Sequence, residues 1–198
     1  MNIGIIPRVR NIKKNSIEYS VDKKLIDILN KIYKKPKITI IHDYKVKKIN
    51  LLVISGGNNI KIFSRKKNDL IRNKITLFHL KKNLKNKTPI IGICYGAQLI
   101  AHFYKSKLKK NPNHVGNHSL TLKNLKFNRN LKKNTEVNSY HDYAITNLGS
   151  QLSTLAVAKD NTIEAFKHKN SKILGIMWHP ERYGQIKKID IKYFKRIK

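Results

Sequence analysis

Cys94 is the only thiol in 198 residues, and it lies within Gly92-Ile93-Cys94-Tyr95-Gly96-Ala97-Gln98, far upstream of His179-Pro180-Glu181. A thiol, an imidazole and a carboxylate are the groups that nucleophilic attack on a carbonyl requires. One attacks, one carries the proton, and one holds the imidazole in a single tautomer. Thr88-Pro89-Ile90-Ile91-Gly92-Ile93 is a short, β-branched apolar run that reads as a buried strand, and residues 96–105 read as a helix. Cys94 then falls on the turn between them, where Gly92 and Gly96 remove the Cβ atoms that would obstruct a sharp bend. The helix N-terminus behind the sulfur favours the thiolate, which is the reactive form. Ser171 to Trp178 reads as a second buried strand, and Pro180 presses the preceding His179 toward an extended conformation. Two apart in extended chain, His179 and Glu181 face the same side. Taken singly, a buried Cys is a small hydrophobe and a His-Pro-Glu turn is a strand exit. The combination, with the glycines in register, points to a catalytic site.

With these motifs in view, the chain resembles the class I glutamine amidotransferases and the related γ-glutamyl hydrolases. The stretches Gly92 to Gln98 and Gly175-Ile176-Met177-Trp178-His179-Pro180-Glu181, with Ser55-Gly56-Gly57 upstream, look like that superfamily's three signatures and come in its order. The resemblance implies that Cys94 attacks a γ-glutamyl carbonyl to give a thioester, that His179 shuttles the proton and that Glu181 orients it. It implies oxyanion donors at the backbone N–H groups of Gly57 and Tyr95. Gly56, Gln98, Ser139, Tyr140 and His141 would then contact the glutamyl group. Gly56-Gly57-Asn58-Asn59 lacks the proline common after the glycine pair in amidotransferase glutaminases and also lacks the aspartate of the hydrolase pattern. Met177 stands where glutamine is frequent, and Trp178 before the histidine looks like the hydrolase branch, which is favoured. The function implied is hydrolysis of a γ-glutamyl amide, a small-molecule substrate, with release of glutamate. Within that branch the chain looks like the short enzymes of surface-polysaccharide pathways, which include γ-glutamyl-CDP-amidate hydrolases that free a nucleotide phosphoramidate for capsule biosynthesis. Two alternatives stand beside it: a glutaminase subunit delivering ammonia to a separate synthase partner, and a non-enzymatic basic protein that binds nucleic acid.

The elements that must position these residues alternate. Residues 2–6, 37–42 and 49–55 read as strands. A helix over 21–34 carries Val21, Leu25, Ile28, Leu29 and Ile32 at helical spacing, and another is expected over 69–85. Beyond Lys110 the pattern turns to short strands at 118–125, 135–139, 152–158 and 162–168. The expected fold is an α/β three-layer sandwich with a mainly parallel central sheet, antiparallel in its second half, and the resemblance implies the flavodoxin-like amidotransferase variety. Open α/β sheets place ligands at the carboxyl ends of their strands, where all three motifs fall.

Length predicts one domain over residues 1–198. No apolar run approaches a membrane span, and one cysteine allows no internal disulfide, so a reducing, cytoplasmic setting is expected. The net charge of +32 suggests nucleic acid at first sight, but the excess is 36 Lys against 7 Arg spread along the whole chain. Lys, Asn and Ile rise together, as AT-rich codon usage dictates, and nucleic-acid interfaces lean on Arg and interleaved aromatics. No specific nucleic-acid partner is therefore expected. Pairs such as Lys13-Lys14, Lys34-Lys35, Lys81-Lys82 and Lys132-Lys133 read as solvated faces. No cofactor is expected and no metal, since no Cys, Asp or Glu near His114 and His118 in sequence offers a third ligand. His102 reads as a packing or surface residue, and Arg65, Asp69 and Arg72 as candidates for the pocket mouth.

Overall fold

The computed structural model describes residues 1–13, 16–111, 114–131 and 134–197. Its strands are β1 (Asn2–Ile6), β2 (Arg8–Lys13), β3 (Ser16–Ser20), β4 (Lys37–Ile40), β5 (Leu51–Ile54), β6 (Ile90–Ile93), β7 (Lys107–Lys110), β8 (Gly116–Leu122), β9 (Asn134–Ser139), β10 (Tyr143–Asn147), β11 (Leu152–Val157), β12 (Ile163–His168) and β13 (Ile173–Ile176). The helices are α1 (Lys23–Tyr33), α2 (Lys67–Lys85), α3 (Tyr95–Phe103), the short α4 (Leu125–Asn128) and α5 (Lys188–Ile197).

Eleven of the described strands form one sheet, whose parallel part runs β4-β1-β5-β6-β13. Beyond β13 it continues antiparallel through β12, β11, β8 and β9, with β10 and β7 alongside. Strands β5, β6 and β13 are buried at every position, as expected of parallel strands covered on both faces. Apolar clusters fill both sides: Leu25, Leu29, Tyr193 and Phe194 of α1 and α5 on one, Leu80, Leu99 and Ile100 of α2 and α3 on the other. Helix α1 follows its sequence pattern, burying Leu25, Ile28, Leu29 and Ile32, and Asp22 caps it by accepting from the Lys24 amide at 2.9 Å.

The α/β sandwich, the parallel sheet and its antiparallel second half match the sequence expectation, with strand and helix ends differing by a residue or a few. The β2–β3 hairpin, β7, β10, α4 and α5 were not foreseen. The hairpin pairs only with itself, as a second sheet. Lys34, Lys35, Lys81 and Lys82 are exposed as expected, whereas Lys14, Lys132 and Lys133 lie outside the described residues. No helix among the described residues is long and apolar enough to cross a membrane.

Candidate active site

Three neighbouring parallel strands deliver the three motifs. β5, β6 and β13 lie side by side, with Ile54 opposite Gly92 and Ile176 opposite Ile93, so the segments leaving their carboxyl ends meet above one edge of the sheet. Cys94 leaves β6 with φ 49° and ψ −100°, a left-handed backbone held on a non-glycine residue. Such a conformation costs roughly 1–3 kcal/mol and persists only where surroundings impose it. Here the Cys94 amide donates to Ile176 O at 2.8 Å, and Cys94 O accepts from Gln98 N at 2.9 Å as α3 begins. The two glycines permit the bend: a Cβ on Gly92 would lie 2.7 Å from Ala97 N, and one on Gly96 would lie 2.8 Å from Ile54 Cβ. The turn anticipated from the sequence is thus present, with the sulfur at the start of α3.

His179 is extended, φ −112° and ψ 94°, as the following proline requires. Its Nδ1 lies 2.6 Å from Glu181 Oε1, and both residues are buried. Burial works against a charged ring here. The negative charge and hydrogen bond of Cys94, followed by those of Glu181, outweigh it and hold His179 up at about 9. Asn138 of β9 clamps the backbone at this point: its Oδ1 accepts from His179 N at 2.8 Å and its Nδ2 donates to His179 O at 2.9 Å. Gly56 backs the ring so closely that any Cβ there would overlap it.

Beside these groups opens a cavity of about 210 Å³ lined by Cys94, Gln98, Gly57, Tyr140, His141 and Arg182, among others. The Gln98 amide donates to Tyr143 O at 2.9 Å, which aims the side chain along the cavity wall. Tyr140 is half exposed, edge-on to His179 with the Arg182 guanidinium 4.3 Å above its ring. Ser139 is set apart from the cavity, because its hydroxyl donates to His114 O. Gly56 lies behind His179, in a separate crevice.

The sequence placed Arg72 at the mouth of the pocket, and the structure corrects this. Arg72 is fully buried beneath the glycine turn. Its Nη2 donates to Ser55 O at 2.6 Å and Ser55 Oγ at 3.0 Å, while its Nη1 donates to Gly56 O at 3.0 Å and also to Gly57 O. The guanidinium stacks 3.9 Å from the centre of the Tyr95 ring. Burial lowers Arg72 to about 10, which leaves it charged at neutral pH. Every described peptide is trans, so the C=O of Gly56 and the N–H of Gly57 point in opposite directions. Holding the one on Arg72 turns the other away from α2. Asp69 is also buried, receiving the Asn58 amide at 2.7 Å, whereas Arg65 and His102 are exposed. Sequence reasoning also missed Asn138. The only signal for either residue was its place next to a motif or on a helix that faces one.

The family model for peptidase C26 matches residues 32–181. The chain belongs to the peptidase C26 family. Across 156 residues it is 40% identical to the γ-glutamyl-CDP-amidate hydrolase of Campylobacter jejuni, covering 76% of this chain and 72% of that protein. Among solved structures, a protein described as a GMP synthase component from Thermoplasma acidophilum superposes with a TM-score of 0.75 at 19% identity, covering all of this chain and 92% of its own. A glutamine amidotransferase from Thermotoga maritima superposes with a TM-score of 0.68 at 18% identity, covering 91% and 76% respectively. These likenesses establish the amidotransferase-type α/β fold for this peptidase C26 member, in agreement with the sequence resemblance. The family match takes in β5, β6 and β13, and so all three segments that meet at the cavity.

Proposed function

We propose that this protein hydrolyses a γ-glutamyl amide through a thioester on Cys94, and that its substrate is a γ-glutamyl nucleotide phosphoramidate of the γ-glutamyl-CDP-amidate type. The observation that carries the reading is a thiol on a strained strand-to-helix turn beside a His179–Glu181 pair at 2.6 Å. The 40% identity to a γ-glutamyl-CDP-amidate hydrolase supplies the substrate class.

In this reading the Cys94 thiolate attacks the γ-carbonyl and forms a C–S bond, and the carbonyl π electrons move onto oxygen. The oxyanion is met by the N–H of Gly57, turned away from Arg72, and by the N–H of Tyr95. As the first residue of α3, Tyr95 has no intrahelical acceptor for that N–H. Collapse breaks the C–N bond, and the leaving nitrogen takes its proton from the His179 imidazolium, which Glu181 keeps aligned. A water then attacks the thioester with neutral His179 as base. Glutamate departs and the thiolate returns. Gln98, Tyr140 and His141 surround the glutamyl group, while Arg182 at the rim meets the anionic leaving group.

The test is glutamate release from γ-glutamyl-CDP-amidate, simple γ-glutamyl amines, poly-γ-glutamate and glutamine, with Cys94→Ala as the blank. Turnover of the nucleotide conjugate that vanishes in the blank is the expected result. Turnover of glutamine alone would make the chain a glutaminase subunit instead. No Cys94-dependent release from any substrate would refute the enzyme reading.

A further inference from the structure

Four side chains converge at the back of the cavity wall, and of these only His141 also lines the cavity. His114 precedes β8, His118 lies on it, His141 follows β9, and Glu164 lies on β12. His114, His141 and Glu164 are buried, Glu164 completely. Three imidazoles aim their Nε2 atoms at this one carboxylate. His114 Nε2 is 3.0 Å and His141 Nε2 3.6 Å from Glu164 Oε1, and His118 Nε2 is 3.3 Å from Oε2. The ligand atoms of His114, His118 and Glu164 all lie within 4.8 Å of one another.

Hydrogen bonding accounts poorly for this arrangement. An N–H···O bond closes at about 2.7–3.2 Å, and only the His114 contact does so. His118 Nε2, both ring nitrogens of His141 and Glu164 Oε2 are buried with no hydrogen-bond partner. A buried polar atom left in that state costs about 1–3 kcal/mol. A tetrahedral ion with nitrogen and oxygen ligands at about 2.0–2.1 Å holds those atoms about 3.3 Å apart. His114 and His141 stand 3.0 and 3.6 Å from Glu164 Oε1, and His118 stands 3.3 Å from the other oxygen of the same carboxylate.

The far side of His114 points the same way. Its Nδ1 is 3.1 Å from Asp160 Oδ2, and Asp160 is itself fixed by the Thr162 hydroxyl at 2.6 Å and the Thr162 amide at 3.1 Å. A neutral His114 donating from Nε2 to Glu164 would turn a lone pair toward the Asp160 carboxylate. A metal on Nε2 instead leaves the proton on Nδ1, where it donates to Asp160, in the carboxylate–histidine–metal pattern that fixes ligating imidazoles. A doubly protonated His114 would serve both carboxylates but would leave His118 and His141 without partners.

We propose that His114, His118, His141 and Glu164 bind one divalent transition-metal ion, with zinc the best match to three imidazoles and a carboxylate. His114, His118 and Glu164 are already grouped, and His141, with its Nε2 3.6 Å from Glu164 Oε1, moves in as the fourth ligand; the shell is then closed and the ion structural. It ties β8, the segment after β9, and β12 together and fixes His141 in the wall of the substrate cavity. The sequence reading found no third ligand because it looked for one near His114; Glu164 stands fifty residues downstream.

The experiment uses the whole chain without a histidine tag, stripped with a chelator, equilibrated with zinc and freed of excess. About one equivalent of zinc per chain is expected by mass spectrometry, with a zinc-dependent rise in melting temperature and, on cobalt loading, the visible bands of a four-coordinate site. Glu164→Gln and His118→Ala should each lose the metal, while Cys94→Ala should keep it. Should both ligand variants fail to fold, the zinc response and cobalt spectrum of the native chain decide the question. Less than about a tenth of an equivalent with no melting shift would overturn the proposal in favour of a metal-free ionic cluster. Metal retained by both folded variants, or lost from Cys94→Ala, would overturn it by placing the ion elsewhere.

Discussion

Gly56→Ala isolates one physical demand of the site, namely room for the His179 ring. Gly56 is not among the described positive-φ residues, so alanine meets no backbone strain and only the space is tested. A Cβ at this position would overlap Cε1 of His179 and lie 3.0 Å from Nδ1 and 3.3 Å from Nε2. To regain ordinary contact the ring must retreat on the order of 1 Å, a displacement that at a reacting centre costs about 10²-fold in rate. The backbone cannot follow, because Asn138 holds both His179 N and His179 O. The ring must therefore give up its alignment with Cys94 or its 2.6 Å contact with Glu181. The expected result is a kcat about 10²-fold below wild type with KM little changed, and a stability loss of about 1–3 kcal/mol from overpacking. In a chain of this size that loss lowers Tm by roughly 2–4 °C per kcal/mol. The assay is steady-state glutamate release beside a melting curve, with Gly184→Ala, where nothing lies within 4 Å of an added Cβ, as the control. A Gly56→Ala enzyme with kcat within about threefold of wild type would refute the confinement of His179, since 1 Å of freedom would then cost nothing.

Three further outcomes follow from the same contacts. Arg72→Lys keeps the charge but not the fork that holds the Ser55, Gly56 and Gly57 carbonyls. It should lower kcat by about 10–10²-fold, short of the 10²–10³ for outright loss of an oxyanion donor, and a change confined to KM would count against the positioning role. His179 is raised above 6.5, so its charge and the stability it brings are complete below 6.5 and lost as pH rises through about 9. The pH–rate profile of kcat/KM should fall on its alkaline side near pH 9, and Glu181→Gln should shift that fall to lower pH; an unshifted limb would exclude Glu181 as the partner. Burial pushes Asp190 up to about 6 despite hydrogen bonds from Trp178 Nε1 and Lys187 N. With the folded value above the unfolded one, its ionisation becomes more costly to the fold as pH rises through 6. Relative to wild type, Asp190→Asn should therefore be more favourable at pH 8 than at pH 5 by about 1 kcal/mol in chemical denaturation, and a difference independent of pH would contradict the buried charge.

Much of the site was legible because its parts are local. The turn at Cys94 needs a buried strand, a helix and two glycines within a few residues, and all are adjacent in the chain. His179 and Glu181 are two apart, and a proline sets the geometry between them. Helix α5 was equally legible but unread, with Ile189, Tyr193, Phe194 and Ile197 at helical spacing and all buried. The β2–β3 hairpin was harder to read, because Val9 and Ile12 of β2 do not alternate and the alternation of β3 rests on Ile17 and Tyr19 alone.

Helix α2 marks where sequence reasoning stops. Its buried face holds Asp69, Arg72, Asn73, Thr76 and His79, which by type belong in water. Asn73 donates to Asn59 O and accepts from Lys61 N, as Arg72 serves Ser55 to Gly57, so the helix satisfies the polar backbone of the turn after β5. A sequence shows a polar residue but not the carbonyl it will meet. In the same way His114 and Glu164 become neighbours only when β8 and β12 enter one sheet. The sequence alone determined the turn at Cys94, the His179–Glu181 pair and the strands that carry them, because each depends on neighbours in the chain. Only the tertiary structure decided what braces the turn and what surrounds Glu164, because burial and pairing of polar groups are properties of the space between elements.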